Sequence, residues 1–383
     1  MNALTDAVAR LTTVVPPDAP PSARPPAGAA LAVRAPGFDG AAAAGLRALP
    51  SDEAPDGLPM NTDTHHDLAS VTKVAATTTA LMRLVSTGDV GLDTPVGHYV
   101  PRFTGGAKDD VTVRDLLLHR GGLWEWWPLY VAATDRDDAL RRAAELPLRH
   151  APRSGRHYSD LGFMLLGQVV EAAAGTDLPG AVAALVTGPL GMTGTRYGHP
   201  AGAEVATSSL GDGVEITMLD TGTPHPVPHR SADFRGWRRG PVTGRPNDGN
   251  AHHALGGVSG HAGLFAPPAD LIILAAALSD HTRHEDLWDP RTAEEFFAPG
   301  PDAGQSLGFR RYELRAGGER LPLLGHPGFT GCAVGFVPGR GIALALATNR
   351  LLTPGTPVPT DALWAEARAV AGRVAHDSAR PQR

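Results

Sequence analysis

The chain has 383 residues, a net charge of −6, and 42% hydrophobic against 19% charged side chains. That is the balance of a globular protein long enough for two ordinary domains or one composite domain. An acidic chain without a long basic run argues against nucleic acid or an anionic membrane as partner, and no apolar stretch approaches the length of a transmembrane helix. The first ten residues lack a basic segment followed by an apolar one, and the lone cysteine, Cys332, forbids an internal disulfide, so a cytoplasmic location is expected.

In chain order, residues 14–28 are proline-rich and read as a lead-in or linker, and Ala29–Val33 and Gly40–Leu46 are candidate short strands. From Ser70 onward, apolar or small residues at Val71, Val74, Ala75, Thr78, Leu81, Met82 and Val85 recur at helical spacing, with Gly88 as the expected stop. Further helices are expected over residues 111–118 and 139–146. Between them the turn Gly121–Pro128 carries Trp124, Trp126 and Trp127. Ser159 suits a helix cap, with Leu161, Leu165, Leu166, Val169 and Val170 as the apolar face and Gly175 as the end. Residues 200–250, polar and rich in Gly, Pro and His, read as long loops. A glycine-dense stretch over residues 254–264 leads into a helix from about Pro268 to Leu278. Cys332–Val337 and Ile342–Thr348 form a hairpin around Pro338-Gly339-Arg340-Gly341, and a helix over about Asp361–His376 follows.

Among 34 basic residues only Lys73 and Lys108 are lysines. Lys73 lies one helical turn after Ser70, close enough for the side chains to meet. Arginine is effectively never deprotonated, whereas a desolvated lysine can lose its proton near neutral pH and act as a base. A serine hydroxyl needs such a base to become a nucleophile, and Ser70/Lys73 has the S-x-x-K spacing of that arrangement. Two further clusters precede regular elements: Tyr158-Ser159-Asp160 before a helix, and His326-Pro327-Gly328 before the hairpin.

These three signals occur in order with Val111-Thr112-Val113-Arg114-Asp115-Leu116-Leu117-Leu118-His119, Gly188-Pro189-Leu190-Gly191-Met192, Leu255–Gly263 and Gly325–Phe329. Together they resemble the serine β-lactamase-related superfamily: penicillin-binding proteins, class C β-lactamases, D-aminopeptidases, and esterases and acyltransferases of the same fold. The resemblance runs from about residue 65 to 350. It implies an α/β fold of the α+β type, an antiparallel sheet flanked by helices with a mostly helical region inserted. Residues 1–90 and 251–383 would form the α/β part of one composite domain and residues 91–250 the insertion. It also implies that Ser70 forms an acyl-enzyme. Lys73, its pKa depressed by burial, would take the Ser70 proton or hold Tyr158 as phenolate, and Tyr158 would relay a proton to the leaving group. The backbone N–H groups of Ser70 and Phe329 would hold the oxyanion, with His326, Gly328 and Asp160 lining the site and Trp124 as a possible wall for an apolar acyl group. Neither a metal nor an organic cofactor is implied.

The pattern departs from the β-lactamases at two places. His326-Pro327-Gly328 stands where they carry Lys-Thr-Gly; histidine offers a positive charge only in part at neutral pH, which disfavours a carboxylate-bearing lactam. Asp160 replaces their asparagine, losing two amide donors and adding negative charge. The pairs His65/His66 and His252/His253, with His261, lack a regular ligand spacing, so no metal is expected. The expected function is a serine hydrolase acting on ester, small amide or lactam substrates. A D-aminopeptidase or D,D-peptidase, a biosynthetic acyltransferase and an inactive ligand-binding homologue are the alternatives.

Overall fold

The computed structural model describes residues 3–378. Its centre is an antiparallel sheet built from both ends of the chain: β1 (Gly28–Ala35), β2 (Phe38–Ala48) and β3 (Leu58–Pro59) from the first part, β6 (Arg310–Ala316), β7 (Glu319–Pro327), β8 (Ala333–Val337) and β9 (Ile342–Thr348) from the last. The spatial order is β6-β7-β8-β9-β1-β2-β3, with each neighbouring pair antiparallel. β1 and β2 extend past the expected segments at both ends because their backbones pair continuously from Gly28↔Gly45 to Ala35↔Phe38. The small strands β4 (Thr207–Gly211) and β5 (Arg239–Thr243) pair separately.

The two faces of the sheet follow from the period-two alternation of side chains. On β1 and β9, Leu31, Val33, Leu344 and Leu346 point into one core with the helices α1 (Ala3–Leu11) and α9 (Thr360–Ser378). Their neighbours Ala32, Ala343, Ala345 and Ala347 point to the other side. There the small side chains admit the apolar helix α7 (Pro268–Ser279), whose Leu271, Leu274 and Ala275 are buried. α1 carries no motif and was not expected; its Leu4, Ala7, Val8 and Leu11 recur at helical spacing and are all buried.

Between the sheet halves lie α2 (Thr79–Thr87), α3 (Val113–Leu117), α4 (Arg136–Glu145), α5 (Asp160–Ala174), α6 (Gly213–Thr221) and α8 (Pro290–Phe297). Caps correct the expected bounds. Thr112 and Asp115 form a capping box that starts α3, and His119 takes φ +58° just beyond it, so the helix is shorter than residues 111–118. Asp135 accepts the Asp138 N–H and starts α4 at Arg136 rather than 139. Residues 200–250 are not all loop, since they contain β4, α6 and β5. In α6 only Leu219 is buried, so its sequence shows no core-facing stripe. No single described helix is long and apolar enough to cross a membrane.

Trp364 of α9 is fully buried against β8, where a Cβ on Gly335 would meet its ring at 2.9 Å. Trp364→Ala is expected to cost about 3–5 kcal/mol, read as a lower midpoint in urea unfolding.

Candidate active site

Ser70 stands where the chain turns from an extended segment into the buried helix. Asp67 holds that turn. Its carboxylate accepts the Ala69 N–H at 3.0 Å and the Asn247 N–H at 2.6 Å, while its carbonyl accepts the Thr330 hydroxyl at 2.9 Å. Burial pushes the Asp67 carboxyl up to about 6. Ala69 takes φ +44°, a strained conformation for a side chain with a Cβ. A 3₁₀ turn over Ala69–Val71 follows, then wide π-type turns over Lys73–Thr78 before regular α2 begins. Ser70 therefore lies in a first turn, where a backbone N–H has no partner within the helix.

Two donors converge on Ser70 Oγ. Lys73 Nζ lies 2.8 Å away and the Tyr158 hydroxyl donates at 3.0 Å. Lys73 is fully buried, and its Nζ also meets Asp160 Oδ1 at 2.7 Å and the His261 carbonyl at 3.5 Å. Burial alone would push this amine down. The Asp160 carboxylate, and then Tyr158, outweigh burial and hold it above the ordinary lysine value. The expected depression of Lys73 is thus corrected: Asp160, at the start of α5, keeps the amine charged.

Tyr158 is placed from several sides. His119 lies with its ring centroid 4.6 Å from the phenol ring, and its Nδ1 accepts the Ser159 N–H at 3.0 Å, which fixes the residue next to Tyr158. Three cations surround the ring, with Lys73 Nζ at 4.9 Å, Arg310 at 5.3 Å and Arg156 at 6.0 Å from its centroid. Neither arginine was singled out in the sequence. Arg310 lies on β6 paired with Gly325, a neighbour that only strand register creates.

A cavity of about 240 Å³ opens onto Ser70, Tyr158, Asp160 and Phe329. Trp126, Val214, Glu215 and Met218 contribute to its walls, as do Asp212 and Asp248. Three expected lining residues lie elsewhere. Trp124 donates its indole N–H to the Pro147 carbonyl at 3.1 Å and carries the Arg149 guanidinium over its ring at 4.8 Å; Trp126 lines the cavity instead. His326 is buried behind Tyr158, with ring centroids 5.8 Å apart. Burial, then Arg310 and Lys73, lower it well below the usual histidine value, so it is neutral and offers no substitute for a lysine charge. Gly328 serves packing, because a Cβ there would lie 2.5 Å from the Leu68 carbonyl. Cys332 is buried, and burial pushes its thiol up to about 12, the opposite of an activated nucleophile.

The acidic wall of the cavity went unread because it comes from residues 200–250. Asp212 pairs with Arg238 at 2.5 Å and His253 at 3.1 Å, and Asp248 pairs with His261 at 3.0 Å. Glu215 accepts the Gly249 N–H at 2.9 Å. Burial and then Asp248 raise the Glu215 carboxyl to about 8.

Among the described residues, two groups of side chains have metal-ligand atoms within 4.8 Å of one another: Asp160, Asp248 and His261, and Glu125, His150 and His157. In the first, the Lys73 ammonium already sits against Asp160. In the second, the imidazole rings stack at 3.5 Å beside the Glu125 carboxylate, which also binds Arg149 at 2.7 Å.

With two lysines in the chain, ¹³Cε-lysine NMR resolves each titration. Lys73 is expected to titrate above the ordinary lysine value, and Lys108, lowered by burial, below it. Asp160→Asn should move only the Lys73 signal strongly downward; an unmoved Lys73 would contradict the assigned cause. For Glu215, the folded chain keeps a proton to about pH 8, whereas the unfolded chain releases it near about 4.3. Its contribution to stability is therefore full below the unfolded value and is lost as pH rises through about 8. Glu215→Gln is expected to flatten the fall in Tm between about pH 5 and 8.

Comparison with known proteins matches residues 27–369 to the Beta-lactamase family model. The chain is 31% identical over 325 residues to an N-acetylmuramyl-L-alanine amidase of Bacillus subtilis, covering 77% of this chain and 70% of that one. It is 29% identical over 323 residues to a putative D-alanyl-D-alanine carboxypeptidase of Escherichia coli K12, covering 78% and 71%. Among solved structures it resembles EstCE1, a hydrolase with promiscuous acyltransferase activity, with a TM-score of 0.66 at 22% identity over 97% of this chain and 98% of that one; at that identity the likeness concerns the fold.

Proposed function

The chain belongs to the beta-lactamase family, a family of serine hydrolases, and on that premise we propose that it cleaves ester or small amide bonds through a covalent acyl-Ser70 intermediate. The observation that carries this reading is the convergence of Lys73 Nζ and the Tyr158 hydroxyl on Ser70 Oγ, at 2.8 and 3.0 Å.

Asp160 keeps Lys73 an ammonium, so the lysine serves better to hold negative charge than to remove a proton. Tyr158 is the other group in reach. Once its proton has passed to solvent, Tyr158, as a phenolate balanced by Lys73, Arg310 and Arg156, takes the Ser70 proton while Oγ bonds the carbonyl carbon. Collapse of the tetrahedral intermediate breaks the bond to the leaving alcohol or amine, which receives that proton from Tyr158. Water then repeats the sequence: it attacks the acyl carbon, gives its proton to Tyr158, and the proton returns to Ser70 Oγ as the acid leaves. The backbone N–H groups of Ser70 and Phe329, both on the cavity wall, are the proposed oxyanion donors. His119 and His326 act through Tyr158 as positioning residues. The lone cysteine supports a cytoplasmic location.

A second reading, an amidase or peptidase, draws support from the two curated relatives. Turnover of an N-acylated L-alanine or a D-Ala-D-Ala peptide at rates above those for simple esters would favour it.

Intact-protein mass spectrometry after exposure to a fluorophosphonate and a panel of p-nitrophenyl esters tests the proposal. The native chain is expected to gain one adduct and Ser70→Ala none; an undiminished adduct on Ser70→Ala would sink it. Tyr158→Phe should lower kcat about 10²–10⁴-fold while leaving the far-UV circular dichroism intact.

A further inference from the structure

Phe329, whose N–H is one of the two proposed oxyanion donors, lies just past Pro327, the last paired residue of β7. The main-chain groups around that N–H are committed elsewhere. The Gly328 N–H donates to the Cys332 carbonyl at 2.7 Å, and the Gly328 carbonyl accepts the Gly331 N–H at 2.9 Å and the Thr360 hydroxyl at 3.4 Å. The Phe329 carbonyl accepts from Arg350 Nη1, and the Thr330 carbonyl accepts the Arg350 N–H at 3.3 Å. Arg350 Nε is anchored in turn on the Val358 carbonyl at 2.8 Å. Gly331, at φ +100°, lets the stem of this arginine lie against the turn, since a Cβ there would sit 3.0 Å from Arg350 Cγ. We infer that Arg350 is a positioning residue for the oxyanion site, locking the Phe329 N–H in place and setting a cation without a carboxylate partner behind it. This rests on the acyl-Ser70 reading and names a residue that serves its transition state.

A backbone N–H points where its two flanking peptide planes allow. Bonds to the Gly328 carbonyl fix the plane that carries the Phe329 N–H, and the bond to the Phe329 carbonyl fixes the next one, so both soft dihedrals of Phe329 are restrained. A guanidinium bond to a carbonyl is charge-assisted and stronger than a neutral one. The second ground is electrostatic. Among the described residues the Arg350 side chain bonds only main-chain carbonyls, and burial alone lowers it, to about 10, which leaves it charged at neutral pH. A partly buried cation with no counter-charge is costly, and negative charge developing on the far side of Phe329 relieves that cost. The substrate carbonyl is neutral before attack, so the benefit falls on the tetrahedral state rather than on binding.

Three variants separate the bond from the charge. Arg350→Met removes both, Arg350→Gln keeps a donor for the Phe329 carbonyl and loses the charge, and Arg350→Lys keeps the charge. With a p-nitrophenyl ester, Arg350→Met is expected to lower kcat about 10–100-fold with KM held within about threefold, and Arg350→Gln about tenfold. Arg350→Lys should recover most of the loss. Affinity for phenylboronic acid, which forms a tetrahedral anionic adduct on a serine hydroxyl, should fall in the same order as kcat. Binding of the ester to Ser70→Ala should be unchanged when Arg350→Met is added, an outcome that a merely structural loss would not leave intact. Arg350→Gln can be read alone, so a poorly folding Arg350→Met does not block the test. Unmoved kcat and boronate affinity in the variants, or a KM rise that accounts for the whole loss, overturns the proposal. If a fluorophosphonate leaves Ser70 unlabelled in the native chain, the acyl-enzyme reading fails and this one with it; a normal native adduct beside unmoved Arg350 variants removes this one alone.

Discussion

A charged amine with no solvent contact is costly, and the rest of the site is arranged around making Lys73 tolerable. Taking an ammonium out of water costs several kcal/mol even after relaxation, and a lone hydroxyl at Ser70 does not offset that. Asp160 does, at 2.7 Å, helped by the His261 carbonyl. The ion pair ties the turn that carries Ser70 to the start of α5, and α5 begins directly after Tyr158. The contact that fixes the charge of the lysine therefore also fixes the position of the phenol. Removing Asp160 would leave a buried cation unbalanced, which is why its effect reaches the charge state of Lys73 before it reaches any substrate.

Close backbone approaches let these segments meet. A Cβ on Gly328 would lie 2.5 Å from the Leu68 carbonyl, and one on Gly260 would lie 2.2 Å from the Phe163 carbonyl. The first glycine seats the end of β7 on the turn before Ser70. The second seats the 259–263 segment on α5, bringing the His261 carbonyl to Lys73. The sheet adds to this by alternating leucine and valine with alanine, so that α7 lies close on one face while α1 and α9 pack on the bulkier other face. His119 and His326, both neutral through burial, fill the space behind Tyr158 without adding charge beside three cations.

Local patterns were legible where an element buries one face. The stripe after Ser70, the face of α5 and the alternation of β8 and β9 each declare themselves, because burial selects residues at a fixed period. Helix α6 does not, since Val214 and Met218 line the cavity and Leu219 is its one buried residue. The cap residues Thr112 and Asp135 decide helix starts that hydrophobic spacing alone misplaces. Among three neighbouring tryptophans the sequence offers no reason to choose, and Trp126 rather than Trp124 reaches the cavity because Trp124 is held outward by Pro147 and Arg149.

What the sequence determined by itself is the pairing of Ser70 with Lys73, since a separation of one helical turn brings two side chains together wherever that helix lies. It also determined the family, through phrases whose order survives folding. Tertiary structure decided the protonation of Lys73, the neutrality of His326, and the acidic wall that Asp212, Glu215 and Asp248 turn toward Ser70. Those properties depend on desolvation and on charges from distant segments, and neither quantity exists until the chain has folded.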